Sequence, residues 1–315
     1  MKKTEWNCSF EPDSRNGREV AIGKCFLWNG CTVSIPAVYV CDEGLIIDFC
    51  IQTDREQYRA FLKKWRELFE REKSKGKISP REYTRFESEN PLDRMLETAV
   101  KVNGKNLRYK GGSGMQWIPS DLLPIMRDDI DIKPFMVHYG LAEDQVWQFR
   151  RDLFFWKDSG IPELERLELT LSQRPKMYPS TEFPTPRAGE RVSIVNPLDG
   201  TSHILTVTEV HPEKIEHFRQ ENLLFPEHCL VMEYNLEPEL PKDVFFLIDT
   251  AESDQPKRIE NKSVVGAAIG VIISNKKKPK EHYAASSMHF APVDEVIWQA
   301  QFRAKTVEDI SVSLI

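Results

Sequence analysis

Cysteine is the residue type whose spacing in this 315-residue chain could most readily mark a reactive or structural site. Four of the six cysteines lie between residues 24 and 50, spaced as C-x5-C, C-x9-C and C-x8-C. Zinc sites are usually built on short C-x2-4-C pairs, which hold two thiolates close together on one turn. The observed spacings do not fit that pattern, so we expect no structural metal and no cofactor.

A disulfide within the first predicted hairpin is also disfavoured. Asn29-Gly30 is a strong signal for a type I′ turn, which pairs Trp28 with Cys31. Because side chains alternate along a strand, Cys25 and Cys31 then point to opposite faces of the sheet.

The second predicted hairpin turns near Asp42, Glu43 and Gly44. If Glu43-Gly44 is the loop, Cys41 and Cys50 share a face but lie about 13 Å apart. If Asp42 joins the loop, they lie on opposite faces. A disulfide needs Cα atoms within about 7 Å, so neither register pairs them. We expect six free thiols, as in a reducing compartment.

The glycine cluster "YKGGSGMQW", residues 109–117, is the strongest candidate for ligand binding. It lacks the third glycine of the dinucleotide motif and is not a phosphate loop. Flexible backbone at Gly112 and Gly114, beside Lys110, could present N–H groups to an anion. Trp117 could line a sugar or peptide groove. The alternative is a plain loop.

Catalytic candidates are few. The chain has no G-x-S-x-G elbow and no H-E-x-x-H motif. A hydrolase would have to use His138, or the region of His228 and Cys229, with residues from distant positions. His228 and Cys229 are adjacent, so on a strand they point apart and cannot form a nucleophile pair alone.

The sequence patterns of the helices and strands that must position these residues predict an α+β fold. Residues 18–74 indicate a β-meander with an amphipathic helix lying on it. Thr53 and Glu56 have capping-box spacing, and an apolar stripe that includes Trp65 follows. The middle region is mixed, with a hairpin at Asn103-Gly104 and a helix over residues 142–156.

From residue 161 onward, short alternating runs between proline and glycine turns predict a β-sandwich-like domain. We therefore expect two domains: residues 1–160, with hairpins and helices, and residues 161–315, with strands. The longest apolar run, residues 264–273, is one of these strands.

Charge and hydropathy exclude two classes of partner. The net charge of −6 argues against non-specific nucleic-acid binding, which rests on Lys and Arg contacts to phosphates. The ten residues of the longest apolar run are far short of the roughly 20 that a membrane span needs. The N-terminal segment has no apolar core typical of a secretory signal, so we expect a cytoplasmic location.

The tail, residues 282–315, and the segment 138–156 together resemble uncharacterised proteins of anaerobic Firmicutes. That resemblance implies no activity and no catalytic residue. The favoured hypothesis is a non-catalytic, β-rich cytoplasmic protein that binds another protein, itself or a ligand. The alternatives are a hydrolase-type enzyme and a carbohydrate-binding module.

Overall fold

The structure is a computed structural model that describes residues 9–10, 17–73, 78, 80–94, 96–122, 132–156, 160–215, 219–220, 223–258 and 282–315. Within these ranges the chain is mostly β-strand, arranged in several antiparallel sheets. It divides into two compact units. Unit 1 comprises Met1–Phe69, Asn90–Arg174 and Lys305–Ile315, and unit 2 comprises Glu70–Glu89 and Pro175–Ala304.

The elements of unit 1 come first, together with the helix Arg66–Lys73, which spans the sequence boundary between the units, and the helix Pro80–Glu89, which belongs to unit 2. The strands of unit 1 are β1 Arg18–Trp28, β2 Cys31–Val40, β3 Gly44–Thr53, β4 Leu96–Val102, β5 Lys105–Asn106, β6 Arg108–Trp117, β7 Val146–Phe155, β8 Leu167–Gln173 and, at the far end of the chain, β19 Ile310–Ser313. The helices are α1 Arg55–Lys64, α2 Arg66–Lys73, α3 Pro80–Glu89 and α4 Lys133–His138.

The remaining strands belong to unit 2. They are β9 Lys176–Pro184, β10 Arg191–Val195, β11 Ser202–Lys214, β12 Arg219–Gln220, β13 Leu223–Leu224, β14 His228–Glu237, β15 Phe245–Asp249, β16 Lys257–Arg258, β17 His282–Ala285 and β18 Ile297–Ala304. The predicted strand over residues 264–273 lies outside the described residues.

The first sheet of unit 1 has the order β1-β2-β3-β7-β6 and is antiparallel throughout. Its first turn confirms the predicted hairpin: Trp28 pairs with Cys31, and Asn29 and Gly30 have φ of 51° and 66°. These positive φ values are what a type I′ turn requires. Cys31 is buried and Cys25 is exposed, as expected for opposite faces.

The second hairpin adopts a register that the sequence analysis did not consider. Val40 pairs with Leu45, and the Cys41 N–H donates to the Gly44 carbonyl at 2.9 Å, so Asp42 and Glu43 alone form the loop. Cys50 lies opposite Ser34, far along the ladder from Cys41. Every cysteine in the described ranges is a free thiol; Cys8 lies outside them.

The helix predicted over residues 142–156 is wrong, because this segment is strand β7. β7 lies between β3 and β6 and is buried on both faces, so its apolar and polar residues do not alternate strictly. Without that alternation, a short segment cannot be assigned to helix or strand by periodicity. This part of the middle region, which the sequence predicted to be a helix, is therefore a strand of the first sheet.

Both faces of the first sheet are covered. On one face, residues of β2, β3 and β7 share a buried cluster with Val100 of β4 and Leu169 of β8. These two strands belong to the second sheet, of order β19-β8-β4-β5. On the other face, Cys50 and Phe149 pack with Phe10 and with Phe135 of α4. The main core of unit 1 therefore lies between its two sheets.

The predicted helix exists but begins and divides differently. Asp54, not Thr53, is the N-cap, and its carboxylate accepts from the Gln57 N–H at 2.7 Å. Thr53 is buried and its hydroxyl accepts a hydrogen bond from Arg94 at 2.9 Å, which removes it from the capping role. The helix is interrupted at Trp65, which is half-buried.

The predicted domain boundary at residue 160 does not coincide with the two units. β8 pairs with β4 along its whole length, and β19 pairs with the other edge of β8. Residues on both sides of position 160 therefore belong to one sheet, and the last strand of the chain returns to unit 1.

Unit 2 is built from one four-stranded sheet, β10-β11-β14-β17, and two three-stranded sheets, β15-β18-β9 and β12-β13-β16. Leu205 and Met232 of the four-stranded sheet share a buried cluster with Trp298 and Phe302 of β18. This cluster forms a second core, separate from that of unit 1.

Candidate functional site

A hollow among the described residues of unit 1 opens between its two sheets. We call it the inter-sheet cleft. It has a main part of about 360 Å³ and a side part of about 230 Å³. Both parts are lined by Tyr109 of β6, Arg150 of β7 and Arg174, which directly follows β8. Gly112 and Gly114 line the main part, and Thr98 and Ser172 line the side part.

Two glycines keep the main part open. Gly112 lies opposite Asp152, and Gly114 lies opposite Arg150. A Cβ at position 112 would lie 2.3 Å from the Asp152 Oδ1 atom, closer than any real contact, so this position requires glycine. A Cβ at position 114 would meet only the Phe149 carbonyl oxygen, at 3.4 Å. Gly114 therefore leaves space that a side chain could fill.

Two arginine–carboxylate pairs form the polar wall of the cleft. The Arg150 Nε donates to Asp152 Oδ1 at 2.7 Å, and the Thr98 hydroxyl donates to Asp152 Oδ2 at 2.5 Å. The Arg174 Nε donates to Glu97 Oε1 at 2.7 Å. Asp152 is fully buried, whereas the Arg174 side chain is 55% exposed. The Arg150–Asp152 pair is therefore buried on the carboxylate side, and the Arg174–Glu97 pair is exposed to solvent.

Tyr109 joins the two parts of the cleft. Its ring packs edge-to-face on Phe154, with ring centroids 5.6 Å apart, and the residue remains 44% exposed. Partial burial, with the Asp152 carboxylate nearby, raises the pKa of the Tyr109 hydroxyl above its usual value. At neutral pH this hydroxyl therefore keeps its proton and can donate a hydrogen bond to a bound molecule.

The structure separates the four ligand-binding residues that the sequence suggested. Gly112 and Gly114 line the inter-sheet cleft. Trp117 packs against the cluster on the opposite face of the sheet, where its indole N–H donates to the Glu143 carbonyl at 2.8 Å. The Lys110 ammonium lies 5.7 Å from the centre of the Phe155 ring. Gly112 and Gly114 therefore lie together at the cleft and Lys110 and Trp117 lie elsewhere on β6, and a binding role for any of the four stays a prediction.

The catalytic candidates do not assemble into a site. His138, at the end of α4, lies 3.2 Å from a carboxylate oxygen of Glu19, with both side chains substantially exposed. A histidine–carboxylate pair can serve as a general base, but this one does not line the cleft.

His228 and Cys229 begin β14 and contact different surroundings. The His228 backbone exchanges hydrogen bonds with His289, and Cys229 is fully buried opposite Glu213. Burial, with the Glu213 charge adding to it, raises the pKa of the Cys229 thiol. A buried, protonated thiol is a poor nucleophile, so this pair does not support the hydrolase hypothesis.

A buried polar network lies on the opposite face of the first sheet. The Arg151 guanidinium donates to both carboxylate oxygens of Asp48, at 2.7 and 2.8 Å, and the Tyr139 hydroxyl donates to Asp48 Oδ2 at 2.7 Å. Tyr39 and Tyr139 share a hydrogen bond of 2.6 Å. Burial is the main cause that raises the pKa of Tyr139 far above its usual range. The network is closed and satisfied, which is typical of a structural role.

No group of three or more His, Cys, Asp or Glu side chains in the described ranges is arranged to hold a metal ion. Among the helices of those ranges, none combines the length and apolar character that a membrane crossing requires.

Arg150, Asp152 and Arg174 were not predicted from the sequence. Arg150 and Asp152 lie two residues apart, a spacing that brings side chains to one face only on a strand. The helix prediction over residues 142–156 hid this relation. Arg174 carried no signal, because its role depends on the pairing of β8 with β4.

Comparisons with known proteins give no family for this chain. No family model matches, and no curated protein matches. Among solved structures, the conserved domain protein from Bacillus anthracis aligns with 94% of this chain and 77% of its own, at 10% identity and a TM-score of 0.20. A similarity this low carries no argument about fold or function. The resemblance to proteins of anaerobic Firmicutes stays a prediction.

Proposed function

We propose that this chain is a non-catalytic ligand-binding protein and that the inter-sheet cleft of unit 1 is its binding site. The observation that supports this most is the space at Gly114. A sheet-to-sheet interface is normally filled by side chains at close-packed density, whereas here the strand carries glycine beside an open, polar hollow. A main part of about 360 Å³ falls within the size range of small-molecule sites.

The composition of the cleft favours binding over catalysis. Its described lining contains no histidine, the residue type that most often acts as general base, and no cysteine or lysine. Of its carboxylates, Asp152 and Glu97 are each hydrogen-bonded to an arginine, and Asp93 lines the main part.

Two finer expectations belong to the same proposal. We infer that each unit is a two-sheet β-sandwich, because each contains a buried cluster to which strands of two sheets contribute. We also infer a cytoplasmic location, which the free thiols Cys31, Cys41 and Cys50 support.

The test is a thermal-shift screen of soluble metabolites on the wild-type protein and on Gly114→Val. A ligand that binds only the native state raises the melting temperature, by an amount that grows with the logarithm of its concentration relative to Kd. We expect compounds that stabilise the wild type and have no effect on Gly114→Val. The matched control is Gly111→Val on the same strand, where a Cβ meets no atom within 4 Å.

Two outcomes would overturn the proposal. If every stabilising compound acts equally on the wild type and on Gly114→Val, the cleft is not the binding site. If a compound that binds the cleft is recovered chemically converted after incubation with the wild type, the protein is an enzyme and the hydrolase alternative gains support.

A further inference from the structure

The charged groups of the inter-sheet cleft restrict the chemistry of its ligand. Two guanidinium groups, Arg150 and Arg174, face three carboxylates: Asp93 and Glu97 in the lining, and Asp152 behind Arg150. The charges nearly cancel, with a small negative excess. An anionic ligand would meet this excess and would compete with Asp152 and Glu97 for arginines that they already hold.

A cationic ligand is disfavoured for the converse reason. Both oxygens of Asp152 are occupied, one by Arg150 and the other by Thr98. Glu97 is engaged by Arg174, so a cation would have to displace a guanidinium held by a charge-assisted hydrogen bond. The pairs Arg150–Asp152 and Arg174–Glu97 therefore offer no uncompensated charge of either sign to a small ion.

The cleft does offer hydrogen-bonding groups that suit hydroxyls. The Arg174 Nε donates to Glu97, and its two terminal nitrogens make no hydrogen bond to a described residue. Glu97 and Tyr109 line the side part of the cleft beside it, whereas the Ser172 hydroxyl bonds to the Asp309 carboxylate. A guanidinium donates, a carboxylate accepts and a phenol hydroxyl does both, so a hydroxyl group on a ligand can pair with each of them.

We propose that the inter-sheet cleft binds a neutral, polyhydroxylated ligand, a short oligosaccharide, that spans both parts of the cleft and contacts Tyr109, Arg150 and Arg174 where the parts meet. This inference rests on the proposed function and names the ligand class of the same site. It does not depend on a row of exposed tryptophans, because none of the described residues that line the cleft is a tryptophan.

The experiment measures binding of three probe classes to the full chain by isothermal titration calorimetry. The neutral probes are malto-, cello-, xylo- and chito-oligosaccharides of two to six sugar units. The anionic probes are glucose 6-phosphate, citrate and AMP, and the cationic probes are spermidine and arginine. We expect binding by at least one neutral series, with affinity that increases with length until both parts are filled.

Two variants locate the binding. Gly114→Val should weaken the neutral probe at least roughly tenfold by filling the main part, and Arg174→Ala should do so by removing donors from the side part. The matched control for the second is Arg166→Ala, since Arg166 is an exposed arginine paired with Glu168 outside the cleft. Because Arg174 is mostly exposed, Arg174→Ala tests the site even if Gly114→Val does not fold.

The outcomes separate the two proposals. If a charged probe binds and Gly114→Val abolishes that binding, while the neutral probes do not bind, the ligand class is overturned and the proposed function stands. If no probe of any class binds in a way that depends on Gly114 or Arg174, both proposals are overturned. Equal weakening by Arg174→Ala and Arg166→Ala would also overturn the inference, since it would indicate non-specific surface binding.

Discussion

At the scale of single residues, the most constrained group is the buried Arg151 guanidinium. It is 1% exposed, bonds both oxygens of Asp48, and lies within 6 Å of the ring centres of Phe10, Tyr39 and Phe135. A buried charge is tolerated only when its partner and its remaining hydrogen bonds are present, because removing one member leaves the other desolvated and unpaired.

We therefore expect Asp48→Ala to lower the free energy of unfolding by about 3–5 kcal/mol. Glu168→Ala is the control, since it removes the carboxylate partner of the exposed Arg166 and should cost less than about 1 kcal/mol. Urea denaturation of both variants measures the difference. Similar losses of unfolding free energy in Asp48→Ala and Glu168→Ala would contradict the view that burial of the ion pair determines the cost of breaking it.

A second expectation concerns the thiols. Burial raises the pKa of Cys41 to about 11, with the nearby Glu43 and Asp42 adding to the effect, and Cys25 is exposed. At pH 8, iodoacetamide should alkylate Cys25 in the native protein, while Cys31, Cys41 and Cys50 react only in denaturant.

Peptide mapping after alkylation measures this expectation, and labelling of Cys41 at the rate of Cys25 would contradict it. The same pKa has a consequence for stability. The Cys41 thiol is neutral in the fold, so its contribution is complete below its unfolded pKa near 8.5 and is lost as the pH rises toward 11.

At this scale the sequence predicted part of the result. The sequence predicts that Cys25 and Cys31 lie on opposite faces of the sheet. The Asn-Gly turn sets the register of the hairpin, and the register decides the face on which each side chain lies. The wall of the cleft could not be predicted, because Arg150 and Arg174 are 24 positions apart and meet only through sheet pairing. Gly112 and Gly114 were identified from their type, but their surroundings were not.

At the scale of elements, the helix after β3 shows how packing modifies a sequence pattern. The apolar stripe predicts one helix with Trp65 at the centre of its buried face. The structure instead divides it at Trp65 into α1 and α2, with Tyr58, Phe61 and Leu68 buried and Trp65 half-buried. Helical periodicity identifies the face that turns inward, but not how far along the face the core extends.

We expect Phe61→Ala to lower the free energy of unfolding by about 3–5 kcal/mol, as is usual for a buried aromatic side chain. Trp65→Ala should cost clearly less, because part of its ring already contacts water. This revises the sequence-based expectation for Trp65. Urea midpoints of the two variants give the comparison, and a larger effect for Trp65→Ala would show that α1 packs through its C-terminal end.

At the scale of the whole molecule, strand β19 ties the far end of the chain to unit 1. Val312 pairs with Leu169, and Leu314 contributes to the core between the two sheets. The sequence predicts that these residues belong to the C-terminal domain. Strand pairing over more than 140 positions leaves no local trace in sequence, so the boundary at residue 160 could not be corrected without the structure.

We expect removal of residues 309–315 to destabilise unit 1 and to leave unit 2 intact, because β8 would lose its edge partner. Hydrogen exchange with peptide resolution measures each unit separately: peptides of β4 and β8 should exchange faster, and peptides of β14 and β18 should not change. A deletion of residues 198–200, in the turn between β10 and β11, is the control with the reverse expectation. Faster exchange in both units after the first deletion would refute the independence of their cores.

The return of β19 to unit 1 also dictates an order of events during synthesis. The residues of unit 2 leave the ribosome before residue 305, so its core can form while the second sheet of unit 1 still lacks a strand. Domains generally fold as units as they emerge, from the N-terminal side onward. Unit 1 does not follow this order, because it begins first along the chain and is completed last. Until β19 has been synthesised, the edge of β8 that pairs with it is open to a chaperone or to another strand.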